Sequence, residues 1–174
     1  KVVVAPYNAK QIYMISYSNT GETFDAAKSP IINMYNEYFG GGMNSIVFQE
    51  MREARGLAYS ADAGYFVPSK AGESYRFNSF IATQNDKMMD AVTAFDEIIN
   101  QMPQSESAFN IAKENIIANL RTGRVLGSSV ISYWLNLQKK GLDKDPNIEM
   151  FEKVQHFTLQ DVVEFQQQVV KDRK

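Results

Sequence analysis

Four short segments in the first half of the chain are rich in β-branched and aromatic residues, a composition typical of β-strands. Apolar residues occupy both faces of the second segment, so we expect that strand to be covered on both sides. A loop containing Pro68 and Gly72 separates the last two segments, which predicts a hairpin. The predicted strands are residues 2–5, 11–18, 57–67 and 75–83, and residues 19–28 are a predicted loop.

Apolar residues then recur every three or four positions, which predicts amphipathic helices. Pro30 stands at the start of the first helix, and Ser105 and the pair Thr158 and Asp161 are predicted to cap later ones. The predicted helices include residues 29–39, 105–120, 128–141, 147–154 and 158–170. Two more are predicted from their end signals: one is capped by Asn44 or Ser45 and ended by Gly56, and the other is capped by Asp86 and continues through residue 99.

Strands dominate the first half of the chain and helices the second. This order predicts an α+β fold, a two-layer sandwich in which helices pack on one face of a mainly antiparallel β-sheet. The 174 residues are the usual size of one unit, so residues 1–174 are interpreted as a single domain.

Composition narrows the possible functions. The formal net charge is −2 and basic residues are scattered, which argues against a nucleic-acid partner. No apolar run is long enough to predict a membrane segment. The chain has no cysteine, which excludes disulfides and thiolate ligands but fits an oxidising compartment as well as the cytosol. Composition therefore leaves the compartment open, and the expectation is a soluble protein of a bacterial periplasm or cytoplasm.

The sequence contains no complete set of catalytic or metal-binding residues. His156 is its one histidine, and a zinc site needs three or four ligands, so we expect His156 at the surface or in packing and no metal in this chain. Trp134, the one tryptophan, is expected in the core or at a domain interface. Three consecutive glycines at residues 40–42 lack the lysine of a phosphate loop, which favours a turn between two helices.

The most informative stretch, residues 38–65, reads YFGGGMNSIVFQEMREARGLAYSADAGY. It combines a glycine-rich turn, a helix with the pattern Phe-x-Glu-x-Arg, and the sequence Arg-Gly-Leu-Ala-Tyr-Ser leading into a strand. This pattern resembles the carboxy-terminal, non-metal-binding domain of pitrilysin/insulinase-type zinc peptidases, the group that includes the mitochondrial processing peptidase. The residues that carry the structural part of the motif are Gly40, Gly41, Gly42, Phe48, Glu50, Arg55 and Gly56.

The resemblance implies a protein built from paired, similarly folded domains, of which one holds zinc on a His-x-x-Glu-His helix. This chain has no such pentapeptide. It is therefore expected to be inactive alone and to be a fragment of a longer chain or the partner of a homologous catalytic subunit. The zinc cofactor is expected in that upstream domain or subunit, and the substrate is a peptide or unfolded polypeptide.

The resemblance also implies auxiliary catalytic contacts from an arginine and a tyrosine seven residues apart, a spacing that Arg52 and Tyr59 match. From the residues alone, Arg52 could equally complement a helix dipole and Tyr59 could be an ordinary strand aromatic. Arg55, next to the helix stop at Gly56, favours a cap or an ion pair with Glu50 or Glu53.

Two functions remain open. The first is a substrate-positioning, structural half of a zinc-dependent metalloendopeptidase, and retention of Arg52 and Tyr59 favours it. The second is a non-catalytic scaffold or binding subunit of the same family.

Overall fold

The computed structural model describes residues 9–171. The predicted strand at residues 2–5 lies outside them. Among the described residues, three strands form one sheet and seven helices follow or interrupt them. The strands are β1 (Gln11–Thr23), β2 (Ser60–Phe66) and β3 (Ser74–Gln84). The helices are α1 (Ser29–Phe39), α2 (Ile46–Phe48, continued by a π-helix at Gln49–Ala54), α3 (Met88–Asn100), α4 (Glu106–Thr122), α5 (Val130–Lys139), α6 (Pro146–His156) and α7 (Leu159–Phe165, continued by a π-helix at Gln166–Val170).

The sheet is antiparallel throughout, with the strand order β1-β3-β2. The predicted hairpin is present as β2 and β3, although β2 begins at Ser60 rather than at residue 57. Together with the helices, this sheet confirms the predicted α+β fold.

Strand β1 departs from the sequence prediction in two ways. It continues to Thr23, so residues 19–23 are not a loop, and its register with β3 shifts between Asn19 and Thr23. Its outer face is also exposed in the described part of the chain, where Tyr13, Ile15 and Tyr17 face solvent, so the prediction of a strand covered on both sides is wrong there. Apolar side chains alone could not show whether a second layer covers that face.

An aromatic cluster joins the helices to the other face of the sheet. Tyr35 of α1 lies 5.0 Å from Phe165 of α7 between ring centroids, and Phe165 meets Tyr65 of β2 edge-on at 5.5 Å. Tyr65 in turn lies 5.2 Å from Tyr75 of β3. All four residues are buried, so α1 and α7 pack directly against β2 and β3.

Local capping signals located most helices well. Ser45 and Ser105 accept hydrogen bonds from the amides of Phe48 and Ala108, and the Thr158 amide donates to the Asp161 carboxylate at 2.7 Å. Asp86 does not cap α3, because Lys87 occupies the N-cap position and makes no side-chain cap.

Gly40 sets the distance between α1 and the sheet. A Cβ atom at this position would lie 2.7 Å from the backbone carbon and nitrogen of Ala63 in β2, and closer still to its carbonyl oxygen. The end of α1 therefore lies against the backbone of β2, which fixes where the chain turns into α2.

Polar contacts attach helix α5 to the start of α6 and to the loop between β2 and β3. The Tyr133 hydroxyl donates to Asp145 at 2.7 Å, and the Ala71 amide donates to the Lys139 carbonyl at 2.9 Å. Trp134 is 55% exposed, so the core position considered for it is wrong.

The Tyr133 contact predicts a pH dependence. Burial, followed by the hydrogen bond to Asp145, raises the pKa of Tyr133 to about 12 from a usual value near 10. The unfolded chain therefore loses this proton at lower pH than the folded chain, so the contribution of Tyr133 to stability is intact below pH 10 and falls as the pH rises towards 12. Urea denaturation of the wild type and Tyr133→Phe is expected to show the wild type losing stability relative to the variant across this range. A constant difference contradicts this assignment.

Candidate functional site

The end of α2 and the segment that joins it to β2 carry both residues with a predicted catalytic role. After Phe48 the helix widens into a π-helix, in which the Arg55 amide donates to the Glu50 carbonyl at 3.2 Å. The Met51 carbonyl then accepts from both Leu57 and Ala58, which turns the chain into β2. Single π-helical turns are uncommon and occur frequently at functional sites.

Four contacts hold this connecting segment against β3 and α3. The Tyr59 amide donates to the Ala82 carbonyl at 2.8 Å, and Lys87 donates to the Gly56 carbonyl at 3.3 Å. The Thr83 hydroxyl donates to the Leu57 carbonyl, and the Arg55 guanidinium donates to Glu97 of α3 at 2.8 Å. The segment is therefore a fixed support for side chains that project from it.

Arg55 forms ion pairs that help to hold this segment in place. Besides Glu97, its Nε lies 3.6 Å from the Glu50 carboxylate, one of the two partners that the sequence offered. The hydrogen bond to Glu97 raises the pKa of Arg55. Its guanidinium thus joins α2 to α3.

Arg52 is bound much more loosely. Its side chain is 51% exposed, its guanidinium carbon lies 5.1 Å from the centroid of the Phe48 ring, and its Nε lies 3.7 Å from Glu53. An exposed ion pair of this length contributes little stability. The Arg52 side chain is therefore half exposed and only weakly held by the fold.

The Tyr59 side chain is also about half exposed. It is 52% exposed, and its hydroxyl accepts a hydrogen bond from Gln84 Nε2 at 3.0 Å. Within residues 9–171, no acceptor takes the proton of this hydroxyl. The group can therefore donate to a molecule bound from outside.

The glycine turn supports the start of α2. Gly42 adopts a φ of 122°, and its carbonyl accepts a hydrogen bond from the Ser45 hydroxyl at 2.7 Å. Gly41 has little room for a side chain, since a Cβ there would lie 2.8 Å from the Asn36 carbonyl. Gly56 ends the helix with a φ of 58°. The motif glycines thus shape the backbone around the segment of Arg52 and Tyr59.

Residues 9–171 contain no cluster of three or more His, Cys, Asp or Glu side chains that could hold a metal ion. His156 is exposed at the end of α6. Over residues 9–171, no helix combines the length and the hydropathy that a membrane span requires.

The sequence of residues 2–116 matches the family model described as the peptidase M16 inactive domain. The chain belongs to the peptidase M16 inactive-domain family. This confirms the resemblance drawn from residues 38–65 to the inactive domain of a zinc-protease family. No curated protein matches the chain.

Solved structures share the fold of this M16 inactive domain. A peptidase M16 inactive domain from Pseudomonas fluorescens superposes with a TM-score of 0.71 at 16% identity, covering 92% of this chain and 38% of that one. The inactive peptidase domain of a candidate zinc protease from Bordetella parapertussis gives 0.68 at 10% identity, covering 94% and 88%. A protease from Helicobacter pylori gives 0.65 at 12% identity, covering 90% and 37%. This M16 domain thus spans under two fifths of the first and third of these chains.

Several residues around the site have no signal in the sequence. Gln84, which donates to the Tyr59 hydroxyl, and Glu97, which pairs with Arg55, are distant in sequence from the motif. Thr83 and Lys87 also hold the segment from β3 and its following turn. The register of the hairpin would have to be known to find them.

Proposed function

We propose that this M16 inactive domain is the substrate-positioning half of a zinc-dependent metalloendopeptidase that cleaves peptides or unfolded polypeptides. Zinc is supplied by another domain of the same chain or by a homologous subunit. The parent protein is proposed to act in the periplasm or cytoplasm of a bacterium, the kind of organism from which the three structures above come.

One observation carries this proposal: the segment from Arg52 to Tyr59 is held by hydrogen bonds to β3 and to the start of α3, yet these two side chains are about half exposed. Arg55, only three residues away, shows the opposite behaviour, because two carboxylates engage it. A purely structural role does not require a fixed backbone to present two polar side chains that are half exposed and make only weak or surface contacts within the fold. Preorganised donors are what a binding or catalytic surface requires.

The two side chains suit different parts of a bound peptide. The Arg52 guanidinium has several donors in a rigid fork, which can bind a substrate carbonyl or carboxylate. The Tyr59 hydroxyl can donate to the oxygen that becomes negative as the peptide bond is attacked. A zinc ion bound by the companion domain would polarise the same carbonyl and activate water. The contribution of this domain is then to orient the peptide and to stabilise charge.

The role of Arg52 is tested by Arg52→Lys in the assembled, zinc-loaded protease. Lysine keeps the positive charge but lacks the planar set of donors of the guanidinium. We therefore expect kcat/KM for peptide cleavage to fall about tenfold, equivalent to about 1.4 kcal/mol of lost hydrogen bonding. Because Arg52 makes only weak contacts within the fold, the midpoint of thermal unfolding should stay unchanged.

Arg76→Lys is the matched control, since Arg76 is another exposed arginine, on β3. It should alter neither cleavage nor stability. If Arg52→Lys cleaves as fast as the control variant, the substrate contact is excluded, and the domain acts as a scaffold or binding subunit instead.

A further inference from the structure

A cavity of about 390 Å³ lies between α1, α5 and α6. We call it the helix cavity. Its volume falls within the range of small-molecule sites in proteins, which is roughly 300–1,000 Å³. Most of its wall is apolar, and this part is formed by Phe24, Ile32, Val67, Leu137, Leu142 and Met150. A ligand that fills the helix cavity therefore needs an apolar body.

The wall of the helix cavity also carries a positive charge. Of the described residues that line it, only Lys140, directly after α5, is fully charged at neutral pH. Its side chain is half-buried, and its ammonium lies 6.0 Å from the centroid of the Phe24 ring. No carboxylate of residues 9–171 forms an ion pair with it. An ammonium beside apolar walls is less well solvated than one on an open surface, so it favours an anionic partner.

Two asparagines add neutral donors to this charge. Asn136 lies four positions before Lys140, on the same face of α5, and Asn33 lines the cavity from α1. In the part of the chain that the structure describes, neither side-chain amide makes a hydrogen bond. Asn36 differs, because its amide binds both the carbonyl and the N–H of Tyr65, at 3.0 and 2.7 Å. An ammonium and free amide N–H groups are suitable donors to a carboxylate.

The acidic side chains of this region line a neighbouring cavity instead. That second cavity has a volume of about 550 Å³ and shares part of its wall with the helix cavity, and its charged lining residues are Asp143, Lys144, Asp145, Glu149 and Glu152. Asp145 accepts the hydrogen bond from Tyr133, and Glu149 pairs with Lys153 at 2.6 Å. Lys140 does not line the second cavity. Because these carboxylates repel an anion, the negative charge of a ligand belongs beside Lys140.

We propose that the helix cavity binds a small organic anion in which a carboxylate is attached to a compact apolar group. The carboxylate pairs with Lys140 and accepts hydrogen bonds from the free amides, and the apolar group packs against Leu137 and Met150. A free carboxylic acid and the C-terminal residue of a short peptide both have this chemistry. The inference does not depend on the role of Arg52 or Tyr59.

NMR of methyl-labelled methionine tests this proposal in the full-length protein that contains this chain, because Met150 lines the cavity. The probes are hexanoate for a free acid and N-acetyl-leucine for a peptide terminus, with N-acetyl-leucinamide as the uncharged control. We expect a carboxylate to shift the Met150 methyl signal with a dissociation constant of about 1 mM, a usual affinity for about ten non-hydrogen atoms. The amide should bind about tenfold more weakly. The signal of Met89, which is 74% exposed on α3, should not move.

Lys140→Met removes the charge but keeps the length of the side chain, so it should weaken carboxylate binding about tenfold, whereas Lys140→Arg should retain it. Lys139→Met is the matched control, since Lys139 is exposed and does not line the cavity. Binding of either carboxylate supports the site, and the tighter of the two identifies a free acid or a peptide terminus as the ligand. Equal binding of N-acetyl-leucine and its amide, wild-type affinity in Lys140→Met, or a Met150 signal that no probe shifts overturns the proposal.

Discussion

Replacing Gly40 by alanine is expected to destabilise the domain by about 3 kcal/mol or more, at the upper end of the cost of overpacking. The added Cβ would lie 2.7 Å from two backbone atoms of Ala63, and backbone in the middle of β2 cannot move aside as a side chain could. Relief requires α1 to separate from the sheet, which would open the contact between Tyr35 and Phe165.

Urea denaturation measures this effect directly, and Gly127→Ala is the matched control. A Cβ at Gly127 meets no atom within 4 Å, so that variant should retain the stability of the wild type. If Gly40→Ala unfolds at the same urea concentration as Gly127→Ala, the close approach of α1 to β2 is not a feature of the folded protein.

Tyr59→Phe is expected to lower kcat for peptide cleavage by the zinc-loaded parent protein by about 10²–10³-fold, the usual cost of removing one donor to the developing oxyanion. The change removes one oxygen from a side chain that is 52% exposed. Its one described hydrogen bond within the fold, from Gln84, is at the surface, so thermal stability should stay close to that of the wild type.

The split between kcat and KM separates a catalytic contact from a structural one. A donor used mainly in the transition state changes kcat with little change in KM. Gln84→Ala, which removes only the neighbour of the hydroxyl, should have a much smaller effect on kcat. Equal losses of activity and stability in Tyr59→Phe would instead assign the hydroxyl to the fold.

Much of the fold could be predicted because its signals are local. Helix-start signals act within a few residues of the chain, so the local sequence is enough to predict them. Examples are Pro30, the cap at Ser45, and the pair Thr158 and Asp161. The family motif at residues 38–65 is also contiguous, and it therefore located the segment of Arg52 and Tyr59.

The features that the sequence did not predict depend on contacts between distant residues. The extension of β1 to Thr23 depends on pairing with β3, and the outward orientation of Trp134 depends on where Tyr133 meets Asp145. The pairing of Arg55 with Glu97 joins positions 42 apart in sequence. Hydrophobic pattern specifies which side chains are apolar, but the same pattern fits a buried helix and a docking surface.

Peptide cleavage by the companion zinc domain, measured with and without this M16 inactive domain, tests the central claim most directly. The account predicts that the zinc domain alone is nearly inactive, that adding the wild-type domain restores zinc-dependent cleavage, and that a domain with both Arg52→Lys and Tyr59→Phe binds equally well but restores little. Full cleavage by the zinc domain alone, or equal restoration by the wild type and the double variant, would contradict it.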